Sequence, residues 1–135
     1  MEAIVNLGYC ELMLGRHGRS LELLYAGLRT ARRRGLVRSE MIARLDLAMA
    51  LLEIGRCQTA HRHVELGLAM AEASGEADMV KNGLFLAGEV EIARGETAAA
   101  RERHRELQER FYPGQPLVAQ WLGAVDVRPL LNLRA

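Results

Sequence analysis

The chain has 135 residues, of which 50% are hydrophobic and 26% charged, with a formal net charge of +1. That length and hydrophobic share suit one globular domain and exclude a disordered or fibrous chain. The near-zero charge provides no global field toward nucleic acid or a membrane surface. Two cysteines, Cys10 and Cys57, make no disulfide framework and predict free thiols in a reducing cytoplasm. There is no charged leader followed by an apolar core, so no signal peptide is expected. No apolar run approaches the roughly 18 residues of a membrane-spanning helix.

All three prolines, Pro113, Pro116 and Pro129, lie in the last quarter. Up to residue 112 only glycine can interrupt a helix, and strictly alternating β-branched runs are absent. An all-α chain is therefore expected. The apolar spacing and the glycines place helices at about 2–14, 18–34, 38–54, 58–74, 77–94 and 97–112. After "FYPGQP", the stretch "PLVAQWLGAV" sets Leu117, Val118, Trp121, Leu122 and Val125 on one helical face. This reads as a capping helix over the preceding elements, and the apolar tail "VRPLLNLRA" is expected to be covered rather than free.

The helices repeat. "NLGYCELMLGR" at residues 6–16 is followed 40 residues later by "DLAMALLEIGR" and 40 later again by "LAGEVEIARGE". Gly15, Gly55 and Gly95 fall in step, as do Leu7, Leu47 and Ala87, and Gly8, Ala48 and Gly88. Ser20, Ala60 and Ala100 form another small set, with Gly27 over Gly67 and Gly35 over Gly75. Small residues at helical spacing allow two helix backbones to approach closely. Glycines at the ends of the periodic runs accept the left-handed conformation of a turn. Each unit is thus a helix, a tight turn, a second helix and a short link, with boundaries near 1–36, 37–76 and 77–112 and a cap with tail at 115–135, all within one domain.

This pattern resembles the tetratricopeptide repeat over residues 1–112. The residues carrying the likeness are Ile4, Leu7, Gly8, Ser20, Leu24 and Gly27 in the first unit. The second has Leu47, Ala48, Leu51, Ala60, Val64 and Gly67, and the third Leu84, Gly88 and Ala100. Three features depart from the family. The period is 40 rather than about 34, Glu11 and Glu91 stand where an aromatic is usual, and the proline that usually follows the second helix is missing. HEAT and armadillo periods also overlap 40, but the placement of small residues favours the tetratricopeptide reading. The resemblance implies a right-handed superhelix (an α-solenoid) of three antiparallel helix pairs with a C-terminal cap. The third unit looks terminal, since Leu107 replaces the glycine at Gly27 and Gly67, and His104 replaces Leu24 and Val64. His104 lies within the charged run "RERHRELQER" and is expected to be partly exposed.

The resemblance also implies that first helices line a concave groove. Carried over, its wall is Val5, Asn6, Tyr9 and Met13, then Ile42, Leu45, Asp46 and Met49, then Asn82, Phe85, Leu86 and Glu89, with Glu2, Leu12, Leu52, Glu53, Ile92 and Ala93 beside them. Such an apolar wall with Met and aromatic anchors suits a peptide or helix of a partner protein. Chaperone-binding members grip a C-terminal carboxylate with basic and Asn side chains. Here those places hold Val5, Tyr9, Asp46, Asn82 and Leu86, so that specialisation is not expected.

Other chemistry has thin support. "CQTAHRH" puts Cys57 and His61 four apart on one helical face, but His63 faces elsewhere and no fourth ligand follows. No phosphate-binding glycine loop, serine elbow or paired-acid motif occurs, so neither catalysis, a metal nor a cofactor is expected. Arg29, Arg32, Arg33, Arg34 and Arg38 form the strongest charge cluster. Cations near a helix C-terminus complement its dipole, and without stacking aromatics the cluster is a weak case for nucleic acid. The sequence therefore predicts a non-catalytic protein-interaction scaffold. The rival is a regulatory or dimerisation domain of a larger bacterial regulator, closed by self-association into a homodimer.

Overall fold

The computed structural model describes residues 2–124. They form seven helices and no strand: α1 Glu2–Met13, α2 His17–Arg34, α3 Val37–Glu53, α4 Cys57–Ser74, α5 Ala77–Ala93, α6 Thr97–Phe111 and α7 Leu117–Ala124. The expected boundaries hold to within one residue for the first six. The tail from Val125 onward lies outside the described residues.

The links between helices repeat like the helices. α1 through α5 each end at a glycine with positive φ: Gly15, Gly35, Gly55, Gly75 and Gly95. At Gly35 the glycine N–H donates to the Arg32 carbonyl (3.3 Å), and the Leu36 N–H reaches back to Ala31 (2.9 Å). This double closure satisfies carbonyls left unpaired at the helix end and needs the left-handed glycine. The same pair of bonds recurs at Gly15/Arg16, Gly55/Arg56, Gly75/Glu76 and Gly95/Glu96. The second residue of each pair is also the N-cap of the next helix, so each turn takes two or three residues. Links this short fold each helix back along its predecessor.

Neighbouring helices are packed in succession from α1 to α7. In addition α3 touches both α1 and α5, whereas among the described residues the backbones of α2, α4 and α6 do not approach one another. The odd helices α1, α3 and α5 thus form one close layer, and α2, α4 and α6 a second, more widely spaced one. α3 lies against four helices, α1, α2, α4 and α5. Apart from half-buried Ile42, every residue from Met41 to Leu52 is buried, and α3 forms the centre of the core.

The small-residue sets sit where helices of one pair cross. A side-chain carbon at Gly8 would come within 2.8 Å of Leu24, and one at Gly27 within 2.8 Å of Val5. Gly67 stands in the same way against Leu45. Buried Ser20 donates its hydroxyl to the Gly8 carbonyl at 2.7 Å across the α1–α2 crossing.

Two expectations need correction. His104 is 2% exposed rather than partly exposed. It fills the place of Leu24 and Val64, and its ring lies flush against Gly88, where a Cβ would sit 2.5 Å from Nε2. The charged run around it faces outward, while the helical period turns His104 inward. The cap is also narrower than its sequence suggested. Leu122 is buried and Val118 half-buried in the core cluster, but Leu117 and Trp121 are exposed. α7 touches only α6 among the described helices, so one stripe is covered and the adjoining stripe is not. Val125 lies outside the described residues.

Candidate functional site

The anticipated groove residues all lie in the odd-helix layer. Seven of them, Val5, Asn6, Ile42, Leu45, Asp46, Asn82 and Leu86, line a single cleft of about 200 Å³ among the N-terminal halves of α1, α3 and α5. Glu2, Arg38, Ser39 and Met79 complete it. The other five, Tyr9, Met13, Met49, Phe85 and Glu89, lie on the same three helices but off this lining.

Most of these side chains are not displayed as an open apolar wall. Val5, Leu45, Asp46, Met49, Asn82, Phe85, Leu86 and Glu89 are buried, and Tyr9 and Ile42 are half-buried. Only Asn6 and Met13 are exposed. Close lateral packing of the odd helices covers flanks that a looser stack would leave free. A ligand entering the cleft would first meet Asn6, Ile42, Arg38 and Glu2, with Asp46 and Asn82 deeper. Asn6, Tyr9, Asp46, Glu53 and Glu89 each already take part in a polar or electrostatic interaction. Arg38 is held by Glu76 at 3.4 Å. Arg38, Ser39 and Met79 are cleft residues that the repeat register did not single out. They sit in the first turns of α3 and α5, ahead of the matched motif.

Glu11 and Glu91, which occupy equivalent places in the first and third units, have distinct partners. Glu11 pairs with Arg16 at 3.4 Å. Glu91 is 3% exposed and accepts from Arg103 Nε at 3.0 Å. Arg103 also binds Glu65, and Arg110 binds Glu72 at 2.6 Å. These pairs connect α6 to α4 and α5.

Cys57 is half-buried and Cys10 exposed, both free thiols. His61, four residues after Cys57, keeps its Nδ1 buried with no hydrogen-bond partner among the described residues. Among the described residues no three metal-ligating side chains come together, and no helix is long and apolar enough to cross a membrane. Of the arginine cluster, Arg38 turns away to face Glu76. Arg29, Arg32 and Arg33 border one recess between α2 and α4, with Arg32 3.8 Å from Glu40.

Comparison with protein families, curated proteins and solved structures returns no match to this chain.

Proposed function

We propose that this protein is a non-catalytic protein-interaction module of the tetratricopeptide type. Its three helix pairs wind as a right-handed superhelix, and the odd-helix layer takes a peptide or helix of a partner protein. The observation that carries the reading is the cleft shared by α1, α3 and α5, with seven of the residues expected from the repeat register on its lining. The unequal spacing of the two layers supports a stack that curves toward the odd helices. The repeated glycine turns and small-residue crossings support the repeat assignment.

The cleft's chemistry sets the partner class. A half-buried Ile42 beside Leu45 and Leu86, with Asn6, Asp46 and Asn82 among them, suits an apolar anchor side chain flanked by backbone or cationic groups. The test is selection from a peptide display library against the whole chain, with binders mapped by NMR. Binders should perturb α1, α3 and α5 and lose at least tenfold in affinity with Ile42→Arg or Asn6→Arg. Asn6 is exposed and Ile42 half-buried, and unchanged far-UV circular dichroism of each variant separates lost binding from lost folding. Binders that ignore both substitutions would remove the cleft from the mechanism.

Self-association is the second reading. Ile4 and Leu7 of α1 are 37% and 46% exposed. The equivalent residues in the later pairs, Arg44 and Leu47, then Leu84 and Ala87, are buried. A second copy covering this end would give a dimer in light scattering that Leu7→Glu converts to monomer.

A further inference from the structure

The even-numbered helices are separated by two gaps that are filled differently. Between α4 and α6 acids and bases alternate: Arg103 meets Glu65, and Arg110 meets Glu72 at 2.6 Å. Between α2 and α4 no ion pair forms among the described residues. The 40-residue register shows which side chains changed. Glu65 and Glu72 of α4 correspond to Tyr25 and Arg32 of α2, and Ala69 and Ala73 to Arg29 and Arg33. Leu84 of α5 corresponds to Arg44 of α3. The first gap is therefore richer in cations and poorer in acids than the second.

Those cations converge. An open recess of about 830 Å³ is bordered by Arg29, Arg32 and Arg33 of α2, Arg44 of α3, and Tyr25 and His63. One carboxylate, Glu40, serves them: it accepts from Arg44 at 2.9 and 3.2 Å and lies 3.8 Å from Arg32. Arg29 and Arg33 face no carboxylate among the described residues, and Arg33 reaches only the Thr30 hydroxyl at 3.4 Å. Arg44 is 8% exposed, and its Nη1 lies 3.3 Å from His63 Nδ1. A guanidinium can only donate, so His63 accepts there and carries its proton on Nε2. Burial, then Arg44 and Arg62, lower the His63 pKa to about 4. The helix dipole explains arginines in the last turn of α2. It does not explain Arg29 a turn earlier, nor Arg44 arriving from α3.

We propose that this recess binds a di- or polyphosphate group, free or carried on a nucleotide. Guanidinium forks match phosphate oxygens bidentately. Three cations in excess of one carboxylate call for a ligand with more than one negative charge. The volume lies in the range of small-ligand sites, about 300–1,000 Å³. Phosphate would exchange with solvent at Arg29 and Arg33 and reach the fixed Arg44–His63 pair behind them.

The experiment is a pyrophosphate titration of the full chain at constant ionic strength, following the His63 ring by NMR. Saturable binding is expected, with the His63 pKa rising by about one unit or more as the anion favours the imidazolium. Arg29→Glu with Arg33→Glu should weaken binding at least tenfold while far-UV circular dichroism stays unchanged. A parallel ADP titration separates the two sources: equal affinity assigns the free phosphate group, tighter ADP binding assigns a nucleotide. A shift that merely follows ionic strength overturns the proposal. So does binding indifferent to the double substitution, or saturation by an oligoglutamate peptide alone.

Discussion

His104 shows how one side chain reports its surroundings. Its position in the register is held by Leu24 and Val64 in the earlier pairs, and it is as buried as they are. Nε2 has no hydrogen-bond partner among the described residues, and burial pushes the imidazole pKa below its ordinary 6.5. The sign follows: the unfolded chain takes up a proton near pH 6.5 while the folded chain resists it. Stability from this group is full above that pH and is lost as pH falls through and below it. His63, held near 4, acts in the same direction. The fit to Gly88 is equally specific, since a methyl there would overlap the ring. Gly88→Ala alone should cost about 1–3 kcal/mol in chemical denaturation. Adding His104→Val recreates the Ala48/Val64 combination of the second pair. It should recover that loss and flatten part of the decline in melting temperature between pH 6.5 and 4.5. A double variant no more stable than Gly88→Ala, or as acid-sensitive as the parent, would refute this account.

At the level of elements, the helices owe their limits more to their C-termini than to their starts. The N-cap residues of α2 through α6 are Arg16, Leu36, Arg56, Glu76 and Glu96, and none makes a side-chain capping bond. The paired closure at each glycine sets the turn instead. Attachment between elements then rests on apolar crossings and, at α6, on ion pairs. Glu91 is the most deeply placed of these acids, and its second oxygen is buried without a hydrogen-bond partner among the described residues. Arg103→Met should therefore destabilise the protein by about 2–3 kcal/mol, because it leaves a buried carboxylate without its counter-charge. Replacing both, Glu91→Leu with Arg103→Met, removes the buried charge and should return most of the loss. Urea midpoints of the three proteins decide the matter. A single variant within about 0.5 kcal/mol of the parent would show that the pair is inconsequential.

For the molecule as a whole, burial rises from the ends toward the middle. α3 lies against four helices and α5 against three, whereas α7 touches one among the described helices. Exposed Ile4, Leu7 and Leu14 mark the α1 end, and Leu117 and Trp121 the α7 end. Opening should begin where fewest contacts must be broken. Amide exchange should therefore be slowest around Leu47 in α3 and Leu84 in α5, and fastest in α1 and α7. Uniform exchange would mean that the stack opens only as one unit. The candidate cleft spans this gradient, running from the α1 end to the N-terminal halves of α3 and α5.

Helix number, helix limits, the 40-residue period and the small-residue crossings could all be read in the chain. Each depends on local spacing: glycine at a left-handed turn, and a missing side chain where two backbones meet. That Val5, Asn6, Ile42, Leu45, Asp46, Asn82 and Leu86 share one layer was legible for the same reason, because the 40-residue register puts them on the first helix of each pair. Their exposure was not. It depends on how closely α1, α3 and α5 stand, and no residue pattern within one helix carries that distance. The burial of His104 was hidden by the charges around it, although its register with Leu24 and Val64 pointed inward. The convergence of Arg29, Arg33, Arg44 and His63 came from tertiary structure alone. They lie on three helices, and only packing of the two layers brings them to one recess.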